Sequence, residues 1–295
     1  MGLHIHVGVH KTATTHLQRC INAVEPQLMD RDIMFLGPQT LRANPVDLRS
    51  LLDGDRSATE RWRKTRDVLR GLLADHRDTL ISEELLLGGL DPARFLGRDG
   101  QIYTTAEERL ANLFRLLGAR EATLFLALRS PADFLTSVFA EQMRFGGELN
   151  IAEYMGGFDP VLLDWPGLVA RLLKAGATTV VCWRYEDLAA VRSKMLRRLL
   201  GQRIAGLTPD LRPVRLGLSR AAYRMIEKNA ASVAVDERQE LVARAMKAHP
   251  KRRNDPPLRI FDPAIHALCE QGYDRDCARI AAMPGVEFLR PADTA

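Results

Sequence analysis

The stretch Leu3-His4-Ile5-His6-Val7-Gly8-Val9-His10-Lys11-Thr12-Ala13-Thr14-Thr15-His16-Leu17-Gln18 decides how this chain is read. Its opening apolar run predicts a strand over 3–8, and a short polar turn rich in threonine follows. An amphipathic helix comes next, with Leu17, Ile21, Val24 and Leu28 on one face. A helix N-terminus presents unpaired N–H donors and the positive end of the helix dipole, so the turn before it is a phosphate cradle. Lys11 adds a point charge, and Thr12, Thr14 and Thr15 add hydroxyl donors. The order differs from the nucleotide-triphosphate loop GxxxxGK[ST]: Lys11 follows Gly8 by only three positions, and the small residue, Ala13, comes after the lysine.

Outward from this segment the same alternation recurs. Further strands are predicted at 32–36, 78–82, 122–128 and 178–183, with helical periods at about 15–29, 58–75, 105–118, 131–145, 162–175 and 187–200. Strand and helix in turn imply an α/β fold around a central, mostly parallel sheet. Thr105, with Glu108 three residues on, reads as a capping box, and Asp187 reads as the cap of the helix after it. Beyond residue 200 the strand pattern fades into helical, basic text with a break at Lys251-Arg252-Arg253-Asn254-Asp255-Pro256-Pro257. The expected organisation is one domain over 1–295, with a core at 1–200 and a helical C-terminal extension at 201–295.

Hydrophobic residues at 46% and charged residues at 27% are ordinary globular usage, which argues against disorder and collagen-like repeats. No apolar run reaches about 18 residues, so no membrane span is expected. The N-terminus enters the first strand without a leader pattern, and the expected location is the cytoplasm. Cys20, Cys182, Cys269 and Cys277 lack CxxC spacing and read as buried reduced thiols. His4 and His6 share a strand face without further ligands at matched spacing, so no metal is expected. The balance of 42 Lys+Arg against 37 Asp+Glu is too even for a nucleic-acid footprint and suits a small polyanion.

A second constellation begins where strand 122–128 ends at Arg129-Ser130-Pro131. Pro131 suits a first helical turn, and Phe134, Val138 and Phe139 continue the helix. Arg129 then stands at the carboxyl end of a strand, where open α/β sheets bind ligands, with Ser137 two turns down the helix. A guanidinium offers a planar fork of donors that matches a phosphate, and a serine hydroxyl completes the shell. Strand 78–82 ends in Ser82-Glu83-Glu84. Neighbouring strand residues point to opposite faces, so one of the two acids reaches any given site. His10 and His16 flank the threonine-rich turn and are contact candidates for a ligand there.

His10-Lys11-Thr12-Ala13-Thr14-Thr15, followed by Leu17-Gln18, resembles the 5′-phosphosulfate loop of sulfotransferases, whose bacterial members commonly read HKTGTT. Arg129 and Ser137, in the pattern RxPxxxxxSxxxxx, are similar to that family's 3′-phosphate site. Trp183-Arg184-Tyr185-Glu186-Asp187-Leu188 is similar to an RYEDL-like strand end, so the resemblance spans roughly 3–190. It implies a three-layer, P-loop-like α/β fold and 3′-phosphoadenosine 5′-phosphosulfate as co-substrate. His10, Lys11, Thr12, Ala13, Thr14, Thr15, Arg129 and Ser137 would bind that co-substrate. The acceptor would be a hydroxyl or amine of a small molecule or carbohydrate. Lys11 would supply charge at the leaving phosphate, and Glu84, with Glu83 as second choice, the general base. The family usually has glycine where this chain has Ala13, an exchange that costs little at negative φ and strains the turn at positive φ. A P-loop kinase is the less favoured enzyme, lacking the GK[ST] order and an apolar strand ending in a magnesium-binding Asp. A non-catalytic nucleotide-binding relative is the other alternative. Acceptor specificity is expected around 37–60, 85–104 and 145–165, and Lys251-Arg252-Arg253 offers a candidate lid.

Overall fold

Five parallel strands lie where the apolar runs place them: β1 (Leu3–His6), β2 (Ile33–Leu36), β3 (Asp78–Ser82), β4 (Thr123–Leu128) and β5 (Thr179–Arg184). The structure, a computed structural model, describes residues 2–54, 57, 59–74, 76, 78–118, 121–212 and 217–291. A sixth strand, β6 (Val286–Leu289), was not anticipated; it corrects the reading of 201–295 as wholly helical. It pairs in parallel with β5 at the sheet edge, and the order is β2-β3-β1-β4-β5-β6. Four residues, three of them half-buried and one of those Glu287, leave almost no periodic signal, which is why β6 escapes a sequence reading.

The main helices are α1 (Thr14–Asn22), α2 (Glu60–Ala74), α3 (Ala106–Leu117), α4 (Pro131–Met143), α5 (Trp165–Lys174), α6 (Leu188–Leu200), α7 (Arg220–Asn229), α8 (Arg238–Ala248) and α9 (Pro263–Ala281). The helix read at 15–29 is in fact two, because the chain turns at Ala23 and Val24 before a short helix Glu25–Met29. Ala58 and Asp75, the ends of the helix read at 58–75, lie outside the described residues, as do 213–216 and 292–295 of the C-terminal extension. Thr105 and Asp187 do sit at the N-caps of α3 and of α6, yet neither side chain bonds a helix amide, so both capping expectations fail.

Alternation along the strands builds three layers. Ile5, Ile81, Leu124, Leu126 and Val180 face the helices α2, α3, α4, α5 and α9. Leu80, Phe125, Val181 and Trp183 face Leu17 and Ile21 of α1 and Val191, Met195 and Leu199 of α6. Both faces are covered, so β2, β4 and β5 read as near-continuous apolar runs. All four cysteines are buried and unpaired, packed as small hydrophobes. Among the described residues no helix is long and apolar enough to cross a membrane.

This topology fixes where a ligand goes. From β1 the chain moves to β2 and β3 on one side, whereas from β4 it moves to β5 and β6 on the other. Strands β1 and β4 are neighbours whose connections leave in opposite directions, which opens a crevice at their carboxyl ends.

Candidate functional site

The crevice is a cleft of about 760 Å³. Its walls include the whole of His10-Lys11-Thr12-Ala13-Thr14-Thr15 after β1, Glu84 after β3, and Arg129 and Ser137 after β4. Residues drawn from three strand ends and separated by more than a hundred positions therefore meet on one surface.

The loop after β1 takes a left-handed backbone at Gly8, Lys11 and Ala13 and is held there by hydrogen bonds. Gly8 has φ 40°, and a Cβ there would sit 2.6 Å from Thr14 Oγ1, so glycine is required. Lys11 and Ala13 are also left-handed, at φ 63° and φ 65°. The alanine that stands where the resembled family has glycine thus occupies the conformation that disfavours it. A left-handed L-residue costs roughly 1–2 kcal/mol, of which glycine's extra unfolded freedom returns about 0.4–1 kcal/mol. Ala13→Gly is expected to stabilise the protein by about 0.5–1 kcal/mol in urea unfolding; a loss of stability would contradict the left-handed turn. Thr12 Oγ1 closes the turn by donating to the Val9 carbonyl.

Arg129 braces this loop directly, donating from Nη1 to the Lys11 carbonyl at 2.7 Å. Its guanidinium lies 4.8 Å from the centroid of the Tyr185 ring, and Trp165 Nε1–H donates to its carbonyl at 3.0 Å. One residue on, the Ser130 amide donates to Glu186, whose other oxygen accepts from Tyr273 on α9. The C-terminal helix thereby holds the strand end that carries Arg129. Ser137 lines the cleft from α4.

The two acids after β3 part company. Glu83 is 2% exposed and accepts two hydrogen bonds from Arg42, at 2.8 and 2.6 Å, and one from the Leu85 amide at 2.8 Å. It fastens the turn and does not line the cleft. Glu84 does line it, with a single longer contact to Arg42 at 3.3 Å.

Several cleft residues carry no sequence signal. Glu141 on α4 pairs with Lys11 at 2.9 Å and lies 3.5 Å from Arg144. Arg192, Asp210, Gly217, Leu218, Asp255, Pro257 and Leu258 close the cleft from the C-terminal half. Expected specificity segments at 37–60, 85–104 and 145–165 do not line it. Members of the first two border a separate cavity of about 260 Å³, with Arg49, Asp53, Asp91 and Arg94. Of the basic stretch 251–253 only Lys251 reaches the cleft; burial lowers its ammonium pKa, Asp255 opposes that, and Arg129 adds to it.

The histidines are mostly structural. His4 Nδ1 meets the Leu199 carbonyl at 2.9 Å, and His6 Nδ1 meets Ser82 Oγ at 2.9 Å. Burial pushes the His6 ring down to about 4. Nε2 of His16 lies 3.2 Å from Asp210 and 3.7 Å from Cys20 Sγ, three donor types drawn close together. Asp210 is also matched by Arg192 at 3.4 Å.

Two threonine hydroxyls on the cleft wall, Thr14 Oγ1 and Thr136 Oγ1, are buried without a hydrogen-bond partner. Buried polar atoms are normally paired, and these two line a cleft whose cations include Lys11, Arg129, Arg144 and Arg192 and whose acids include Glu84, Asp133 and Glu141. A ligand rich in acceptor oxygens fits them. Compared with known proteins, the chain matches no family model, no curated protein and no solved structure.

Proposed function

We propose that this chain is a sulfotransferase of P-loop-like type. It would act in the cytoplasm and move a sulfuryl group from 3′-phosphoadenosine 5′-phosphosulfate to a hydroxyl or amine of a small-molecule or carbohydrate acceptor. The observation that carries the reading is convergence: the Lys11 loop and the Arg129–Ser137 pair, separated by 118 positions in sequence between Lys11 and Arg129, line one cleft at the ends of adjacent strands. A nucleotide with phosphate groups at both ends of its ribose has the two anionic ends that these two constellations suit.

In this reading the amides at the start of α1, the threonine hydroxyls and Lys11 hold the 5′ end, and Arg129 with Ser137 the 3′-phosphate. The co-substrate supplies the activated sulfuryl group; the chain supplies position and charge. Glu84 accepts the proton of the attacking hydroxyl or amine. Lys11 is already neutralised by Glu141, so an incoming anion competes with a carboxylate for that ammonium.

Isothermal titration tests the assignment. Adenosine 3′,5′-bisphosphate is expected to bind equally well with and without magnesium, and ATP with magnesium to bind more weakly. Magnesium-dependent ATP binding, with no affinity for the bisphosphate, would sink it.

A further inference from the structure

His10 and Tyr103 are joined by two hydrogen bonds. The backbone N–H of His10 donates to the Tyr103 hydroxyl oxygen at 3.2 Å, and that oxygen lies 2.8 Å from His10 Nδ1. Both rings are buried and stacked, with centroids 5.8 Å apart, and Phe95 packs edge-on against Tyr103 at 4.9 Å.

The hydroxyl has one proton to give, and that decides the tautomer. If Nδ1–H donated to the tyrosine, the oxygen would accept twice and its own proton would lack an acceptor. Among the described residues the hydroxyl bonds to His10 alone. A buried donor without a partner is disfavoured, whereas a hydroxyl that accepts from the amide and donates to Nδ1 leaves every group satisfied. Nδ1 is then the acceptor, and the proton of the neutral ring is on Nε2, at the opposite edge. The ring is neutral at pH 7, because burial pulls its pKa down to about 4, with Glu83 opposing and Lys11 adding. His10 itself lines the cleft beside Lys11.

The tyrosine is held in place at a cost. Its φ of 51° is an outlier for a bulky residue. Arg171 clamps that backbone, donating to the Ile102 carbonyl at 2.6 Å and the Tyr103 carbonyl at 2.9 Å. Strained backbone persists where the surroundings fix it, and such places concentrate at functional sites.

We infer that His10 presents a fixed, uncharged Nε2–H donor to the anion held by the loop 10–15, and that Tyr103 is the positioning residue that sets this tautomer. The inference rests on the reading of that loop as an anion site. It also rules His10 out as a general base, since Nδ1 is occupied by the Tyr103 hydroxyl and Nε2 already carries the ring's proton.

Long-range proton–nitrogen NMR on protein labelled at histidine nitrogen, with the His10 signals assigned by their loss in His10→Gln, reads the tautomer directly. At pH 7.5 the expected result is a protonated Nε2 and an unprotonated Nδ1. A protonated Nδ1 would overturn the inference. Tyr103→Phe is expected to mix the tautomers and weaken adenosine 3′,5′-bisphosphate binding about tenfold. An unchanged tautomer with unchanged affinity would contradict the positioning role. His10→Gln, which keeps an N–H donor, should stay within about threefold of wild type, and His10→Ala should lose about tenfold or more. If inorganic sulfate shifts the Nε2–H signal and the bisphosphate does not bind, the co-substrate reading fails and the donor role stands. If neither anion moves that signal, the donor role fails.

Discussion

Arg129→Ala is expected to lower the affinity for adenosine 3′,5′-bisphosphate by about 100-fold or more, and Arg129→Lys to recover only part of it. A guanidinium that grips a phosphate with two charge-assisted hydrogen bonds loses about 1.5–3 kcal/mol for each. Lysine restores the charge and not the planar fork. The residue is half-buried at the end of β4, placed over the Tyr185 ring and tied to the Lys11 carbonyl, so it arrives at the cleft with little freedom left to lose. That tie to Lys11 complicates a simple deletion, because the alanine variant also loosens a left-handed loop residue. Adenosine 5′-phosphosulfate, which lacks the 3′-phosphate, separates the two effects. Its binding should fall by less than about tenfold if Arg129 reads the 3′-phosphate. Equal losses for both nucleotides would show that Arg129 acts only through the loop, and the 3′-phosphate assignment would be withdrawn.

What the sequence makes legible is whatever is written locally. The loop 8–15 is legible because strand, turn and helix are contiguous, and Arg129 because it closes an apolar run and precedes a proline. The adjacency of β1 and β4 is a property of sheet order, and it turns two local patterns into one cleft. Glu141 illustrates the opposite case. It is one acid on a helix, and only the fold sets it 2.9 Å from a lysine 130 positions earlier. Tyr103 is a tyrosine in a turn until its hydroxyl is placed against His10. The left-handed Ala13 is likewise beyond a sequence reading, because an alanine's φ is imposed by its neighbours. The wall residues Asp210, Gly217, Leu218, Lys251, Asp255, Pro257 and Leu258 lie outside helix and strand, where no periodicity marks them, so their part in the cleft is a tertiary fact. Thr105 shows that even a well-spaced capping pair need not engage, since α3 begins without that side-chain bond.

Glu84→Gln is expected to slow sulfuryl transfer by about 10²–10⁴-fold, the range that a positioned general base supplies. Bisphosphate affinity should stay within about threefold, because the glutamine keeps the shape of the wall and Glu84 makes no bond to the loop 10–15. The division of labour with Glu83 is what makes the result informative. Arg42 gives its two short hydrogen bonds to Glu83 and only a 3.3 Å contact to Glu84, so one acid is consumed by the turn and the other lines the cleft. Glu83→Gln should therefore act on stability, leaving the half-buried Arg42 guanidinium with only its longer contact to Glu84, at a cost on the order of 3 kcal/mol. Single-turnover transfer from radiolabelled 3′-phosphoadenosine 5′-phosphosulfate to a panel of alcohols, phenols, amines and sugars gives the rate. Denaturant unfolding of both variants gives the stability. A Glu84→Gln enzyme that transfers within threefold of wild type would remove Glu84 as the base. With Glu83 locked to Arg42 and His10 bearing its proton toward the cleft, the acceptor would then have to lose its proton to water or to Glu141 once Lys11 has released it.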